Sequence, residues 1–178
     1  MPADEPVDLV DELDRVVGSA KLRECLERGL LHRAVAVLVL RPGGKVLLQQ
    51  RSKRDAWHPG MWTLSCTGHV TRGESYRKAA LRELGEELGI RPAVRESMKL
   101  LLPAMTDGRL TEREWVTLFT AESAAPVSVD PVELEGTREV PVSELAGLLR
   151  GRKLTPDAKI LLAAFLSGGL QPEGPKGL

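Results

Sequence analysis

The chain has 178 residues, 42% of them apolar, which is slightly more than one typical domain of roughly 100–150 residues and enough to bury one sizeable core. Lys plus Arg equals Asp plus Glu at 25 each, so composition offers no global basic field for a nucleic-acid backbone or an anionic membrane, and any charge logic must be local. The acidic start lacks the basic and apolar regions of a secretory signal, and the longest apolar run, Ala34 to Leu40, is far shorter than the roughly 20 residues a membrane span needs. These features predict a soluble, cytoplasmic protein whose two cysteines, Cys25 and Cys66, stay reduced as small buried apolar residues.

Val7 to Val17 alternates apolar and polar residues around Leu13-Asp14, which predicts a short hairpin, and one or two helical turns follow over Ala20 to Arg28. Ala34 to Leu40 is continuous, valine-rich and stopped by Arg41-Pro42-Gly43-Gly44, as expected of a central strand ending in a tight turn. Lys45 to Gln50 returns as its partner, and further strands are predicted at Met61 to Thr67, Leu100 to Ala104 and Glu114 to Ala121. Two helices close the domain. Ser143 to Leu149 follows Pro141, and Ile160 to Leu166 follows Thr155-Pro156-Asp157, which supplies an N-cap, a proline at the first helical position and an acid in the first turn. The expectation is a single domain over residues 1–167, with the Gly- and Pro-rich stretch Gly168 to Leu178 as a disordered tail.

The chemistry is concentrated between Gly68 and Ile90. Ser75 is placed to cap a helix in which Ala79, Ala80, Leu84 and Leu88 form an apolar stripe and Gly89 sits where a left-handed C-cap is wanted, so the helix should run over about Tyr76 to Leu88. Their three- and four-residue spacings bring Glu83, Glu86 and Glu87 to one face with no lysine between them. Such crowding asks for a cation, and hard oxygen donors with incomplete protein coordination suit Mg²⁺ or Mn²⁺. Gly85 in the helix interior costs about 1 kcal/mol against Ala, which suggests close approach by another backbone or a ligand.

The full spacing is Gly68, five residues, Glu74, seven residues, then Arg82-Glu83-Leu84-Gly85-Glu86-Glu87-Leu88-Gly89-Ile90. It resembles the Nudix box at every defined position. The resemblance implies an α/β fold, an α/β/α sandwich around a mixed β-sheet, and a metal-dependent enzyme. By position it implies that Glu83, Glu86 and Glu87 hold the metals with help from the Gly68 carbonyl, while Glu74 and Arg82 brace loop against helix and Gly89 closes the box. The catalytic base would be Glu83 or a glutamate outside the box.

The flanks, Leu47-Leu48-Gln49-Gln50-Arg51 and Trp57-His58-Pro59-Gly60-Met61-Trp62, resemble the Nudix subgroup related to isopentenyl-diphosphate isomerase. In that resemblance His32, His69, Glu112 and Glu114 fall where the isomerases place metal ligands or the catalytic carboxylate. Glu112 and Glu114, two residues apart, should share one strand face. Arg51, Lys53 and Arg54 become candidates for binding substrate phosphate. Three features depart from the isomerases. Thr67 stands where they require cysteine, while Cys66 should point to the opposite strand face; no Tyr or Trp follows Trp115; and Cys25 occupies the approximate place of a ligand histidine.

These features together point to a Mg²⁺- or Mn²⁺-dependent hydrolase cleaving a diphosphate linkage in a nucleoside-diphosphate-linked or similar small molecule. The alternatives are isopentenyl-diphosphate isomerisation and a non-catalytic binding module. Trp57, Trp62 and Trp115 are the stacking surfaces on offer for a base, each read first as core.

Overall fold

The valine-rich run becomes the centre of the sheet because it is covered on both faces. In the computed structural model, which describes residues 4–168, Ala34, Ala36 and Leu38 face one core, and the alternate residues Val35, Val37 and Val39 face another. The elements in order are β1 (Pro6–Val10), β2 (Val16–Lys21), α1 (Leu22–Arg28), β3 (His32–Arg41), β4 (Lys45–Arg51), β5 (Trp62–Thr63) and β6 (Cys66–His69). There follow α2 (Tyr76–Leu88), β7 (Val94–Leu101), β8 (Met105–Asp107), β9 (Leu110–Glu112), β10 (Glu114–Glu122), β11 (Leu134–Pro141), α3 (Val142–Leu149) and α4 (Pro156–Ser167). The sheet is mixed: β10 runs parallel to β3, and the other pairings are antiparallel. Ala79, Ala80, Leu84 and Leu88 of α2 pack on one face, and Leu145 of α3 with Ala158, Leu161, Leu162 and Phe165 of α4 pack on the other. That is the expected α/β/α sandwich around a mixed sheet.

Several boundaries differ from expectation for physical reasons. Met61 to Thr67 is not one strand but two, β5 beside β4 and β6 beside β3. β3 and β4 pair only at Leu40–Val46 and Arg41–Lys45 and then splay. Ser65 fills the gap. Its Oγ accepts from the Val39 N–H at 2.7 Å and donates to the Leu47 carbonyl at 2.5 Å, replacing ladder bonds the splayed strands cannot make. The strand expected at Leu100 to Ala104 is β7, which starts earlier at Val94 and ends before Pro103; as an edge strand it carries exposed Arg95, Glu96 and Lys99, which mask its period. The short β8–β9 hairpin and the polar edge strand β11 have no counterpart among the expected strands.

The box helix matches its expected bounds. Ser75 Oγ accepts from the Lys78 N–H, and Gly89 adopts a left-handed C-cap at φ 66°. The expected tail lies outside the described residues, apart from Gly168, which caps α4. No helix among the described residues is long and apolar enough to cross a membrane.

Candidate active site

The three ends of β3, β6 and β10 meet at one place because of sheet register. Glu114 opens β10 opposite His32, the first residue of β3, and His69 closes β6 opposite Ala34. This brings together residues 32, 69 and 114, which no sequence spacing connects. Glu114 Oε1 lies 3.1 Å from His69 Nε2 and 3.4 Å from His32 Nε2, and the two imidazoles stack with centroids 5.2 Å apart. Neither contact has hydrogen-bond geometry: both ring nitrogens of His69 and Nε2 of His32 are buried without a hydrogen-bond partner. His32 Nδ1 lies 2.8 Å from the Leu30 carbonyl, so donation there fixes the ring with Nε2 aimed at the group, where it can carry a proton in the metal-free protein or offer its lone pair to a cation.

The charges respond to this arrangement. Burial pushes the Glu114 carboxyl up, but the two histidines outweigh it and hold the group well below the usual carboxylate range. Burial depresses His69, whereas for His32 the adjacent Glu114 overcomes burial and raises it. Orphaned buried nitrogens around a carboxylate are the donor set of a divalent cation with borderline character, and the three groups fit one.

The expectation that Glu112 and Glu114 share one strand face is corrected: Glu112 ends β9 of the small two-stranded sheet and Glu114 opens β10 of the main sheet, and both line one cavity of about 40 Å³. Burial and the charge of Glu114 raise Glu112 well above its ordinary range. Its carboxylate nevertheless stands outside the close group formed by His32, His69 and Glu114. Cys25 does not join either; it is buried against Val7 and Leu22.

On the neighbouring side of Gly68 and Thr67 lies the box. Glu83 presses so close to Gly68 that a Cβ there would collide with its carboxylate, which explains the glycine without any special backbone angle. Glu87, 7% exposed, accepts from the Thr67 N–H at 3.4 Å. Burial pushes Glu83 up to about 7 against the pull of Arg82, and burial followed by the Glu83 charge pushes Glu87 up to about 8. Two buried carboxylates raised this far fit a site that receives a cation.

The third box glutamate behaves differently. Glu86 has a side chain 59% exposed and pairs with Arg82 at 3.1 Å. No lysine stands among the three carboxylates, as expected, but Arg82 does. Arg82 Nη1 also meets Glu83 at 2.7 Å, while its other nitrogens hold Glu74 at 3.0 and 3.2 Å and the His69 carbonyl at 2.9 Å. Arg82 therefore braces loop against helix, as the resemblance implied, and also neutralises part of the acidic face. At Gly85 the nearest neighbour is the Arg91 side chain rather than another backbone, and a Cβ there would make ordinary contact with it.

A larger open cleft of about 530 Å³ joins the two centres. Glu87, Thr67, His69 and Glu112 line its floor, Arg51 and Arg54 its basic side, and Leu22, Leu26, Leu110 and Leu134 much of its wall. Arg51 is not a free phosphate ligand. Its guanidinium donates to Asp55 at 2.7 Å and to the Trp57 carbonyl at 2.8 Å, holding the loop after β4. Lys53 does not line the cleft; its backbone N–H binds Glu135. Of the tryptophans only Trp57 lines the cleft, and it is 6% exposed.

Cys66 lies in the core under α2 while Thr67 faces the cleft, so the two alternate as strand geometry requires. Sequence reasoning missed Glu133, Arg23 and Gln49 in the cleft lining. Gln49 gave one usable signal, a polar residue in an otherwise buried strand.

Comparison with known proteins shows the family. The family model for the NUDIX domain matches residues 30–164, and the chain belongs to the Nudix family. An uncharacterized Nudix hydrolase of Pseudomonas aeruginosa is 34% identical over 163 residues, covering 91% of this chain and 94% of that protein. An isopentenyl-diphosphate Delta-isomerase of Nocardia farcinica is 35% identical over 147 residues, covering 81% and 83%. A Deinococcus radiodurans crystal structure shares the fold with a TM-score of 0.75 at 23% identity, covering 89% of this chain and 98% of that one.

Proposed function

We propose that the chain is a divalent-metal-dependent hydrolase that cleaves a diphosphate linkage in a nucleoside-diphosphate-linked or similar small molecule. The observation that carries this reading is the pair Glu83 and Glu87, held against Gly68 and Thr67 beside an arginine-bearing cleft. Glu83, Glu87 and the Gly68 carbonyl would hold Mg²⁺ or Mn²⁺, with Glu86 joining when Arg82 releases it. An ion held there would supply Lewis acidity toward the diphosphate and toward a water molecule beside it. The protein's own residues do the rest. Arg54 would offer charge to the phosphate oxygens, Arg51 would shape the loop around them, and Glu112, which lines the cleft, would accept a proton across it. His32, His69 and Glu114 would hold a second cation, with nitrogen donors favouring Mn²⁺ or Zn²⁺ over Mg²⁺.

Isomerisation is the second reading, and the assembled His32, His69 and Glu114 favour it. Thr67 weighs against it, because a hydroxyl replaces the expected thiol in the cleft and Cys66 is buried on the other face. Because no Tyr or Trp follows Trp115 either, Thr67→Cys should not by itself create interconversion of isopentenyl and dimethylallyl diphosphate, followed by product chromatography; robust interconversion in that variant would reopen the isomerase reading.

A panel of nucleoside di- and triphosphates, dinucleotide polyphosphates, nucleotide sugars and isoprenoid diphosphates tests the proposal. At least one class should be hydrolysed only when Mg²⁺ or Mn²⁺ is present, and no release from any class would count against it. With that substrate, Arg51→Ala should raise KM about tenfold, equivalent to about 1.4 kcal/mol. Because Arg51 also ties Asp55 to Trp57, the variant should lose a few degrees of melting temperature, at about 2–4 °C per kcal/mol for a chain of this size. An unchanged KM would assign Arg51 to the loop alone.

A further inference from the structure

The cavity beside His69 has a wall that the box and the isomerase-like residues leave unexplained. Asp157, at the start of α4, lines it together with Glu112, Glu114 and Arg51. Its position is fixed from several directions. Trp62 N–H donates to the Lys153 carbonyl at 2.8 Å and Thr155 N–H to the Trp62 carbonyl at 2.9 Å, tying the entry of α4 to β5. One turn further on, Leu161 lines the same cavity, as the four-residue spacing from Asp157 requires, and is buried in the core against the sheet.

Three carboxylates thus face a space of about 40 Å³, room for an ion and little else. The guanidinium among them, Arg51, is already committed to Asp55 and the Trp57 carbonyl. His69, 6% exposed with both ring nitrogens lacking hydrogen-bond partners, lines the same cavity, and His32, fully buried with Nε2 likewise unpaired, stacks on it with ring centroids 5.2 Å apart. Acidic residues and orphaned imidazoles gathered around one small space are complementary to one species, a divalent cation. Asp157 does not belong to the close group of His32, His69 and Glu114, so its carboxylate acts on that cation at one remove.

We propose that Asp157 is an outer carboxylate of the His32–His69–Glu114 cation site, raising its affinity through charge and a bridging water rather than by direct ligation. This rests on the reading of those three residues as a cation site. The competing role for Asp157 is structural, an acid in the first turn of α4 favoured by the helix dipole. The two roles make different demands. A helix-end role predicts lost stability in Asp157→Asn with unchanged metal affinity; an outer carboxylate predicts lost affinity with apoprotein stability kept or raised, because carboxylate crowding is relieved.

The test is titration of the full chain with Co²⁺, followed by the visible absorption that reports imidazole ligation, on the wild type, Glu114→Gln and Asp157→Asn, with melting temperatures of each apoprotein. The wild type should show imidazole-ligated Co²⁺, and Glu114→Gln should lose it. Asp157→Asn should keep the spectrum but bind about tenfold more weakly, the low end of what removal of an outer partner costs. Wild-type affinity in Asp157→Asn, with binding lost in Glu114→Gln, would overturn the role of Asp157 while leaving the cation site standing. Absence of imidazole-ligated Co²⁺ in the wild type would overturn both.

Discussion

Glu87→Gln should nearly abolish turnover, by about 10³-fold, while making the metal-free protein more stable at pH 8. The loss of activity is expected because Glu87 is one of the two carboxylates on which the proposed metal site rests. The gain in stability follows from where Glu87 sits: 7% exposed, opposed by the charge of Glu83, with its carboxyl pushed up to about 8. In the unfolded chain the group titrates near 4.5. Between these values the folded state binds more protons than the unfolded state, so this group's contribution weakens folding as pH rises from about 4.5 through 8, and the penalty is complete above that. The penalty is on the order of a few kcal/mol, or several degrees of melting temperature. Glutamine of the same shape carries no charge and escapes it. Melting curves of the apoproteins should diverge from pH 5 to pH 8.5 with the variant higher, and added Mg²⁺ should raise only the wild type appreciably. A variant less stable than the wild type at pH 8 would contradict this assignment.

Glu114→Gln is the same chemical change at a buried carboxylate and should have the opposite thermal effect. Here the two histidines overcome burial and hold the carboxyl below its ordinary range, so ionisation stabilises the fold. That contribution is fully present above the unfolded pKa and is lost as pH falls through the folded one, so at pH 7 the variant forfeits it. The apoprotein should melt several degrees lower than the wild type at neutral pH, with the gap closing towards acid. Its kcat should fall at least tenfold, about 1.4 kcal/mol of transition-state stabilisation, with little change in KM. Wild-type kcat together with wild-type stability would remove Glu114 from the site.

The contrast between these carboxylates also marks what was legible in the sequence. The box helix could be read to the residue because its information is local: a serine cap, an apolar stripe at helical spacing and a terminal glycine, all within Ser75 to Gly89. The central strand was legible because burial on both faces leaves an unbroken apolar run. His32, His69 and Glu114 carry no such signal, since their proximity is created by the pairing of β3 with β6 and β10; only positional resemblance suggested them. β11 escaped notice because an edge strand shows solvent a polar row, with Glu135, Glu139 and Arg138 in it. Asp157 is visible in the sequence, but as an acid in the first turn of a helix. The first turn of α4 serves the helix and faces the cavity at once, and sequence displays only the first of these. Arg82 was read as a brace, whereas its fan of contacts to Glu74, Glu83, Glu86 and the His69 carbonyl depends on a loop geometry that spacing does not encode.

The central claim is that water attacks phosphorus in this cleft, and isotope labelling tests it most directly. The enzyme is given Mg²⁺ and its best substrate in ¹⁸O-water, with isopentenyl diphosphate in deuterium oxide as a parallel reaction. Hydrolysis predicts one ¹⁸O in a product phosphoryl group per turnover, lost in Glu87→Gln, with no deuterium entering the isoprenoid chain. Deuterium incorporation with formation of dimethylallyl diphosphate, and no ¹⁸O in any phosphoryl product, would contradict it.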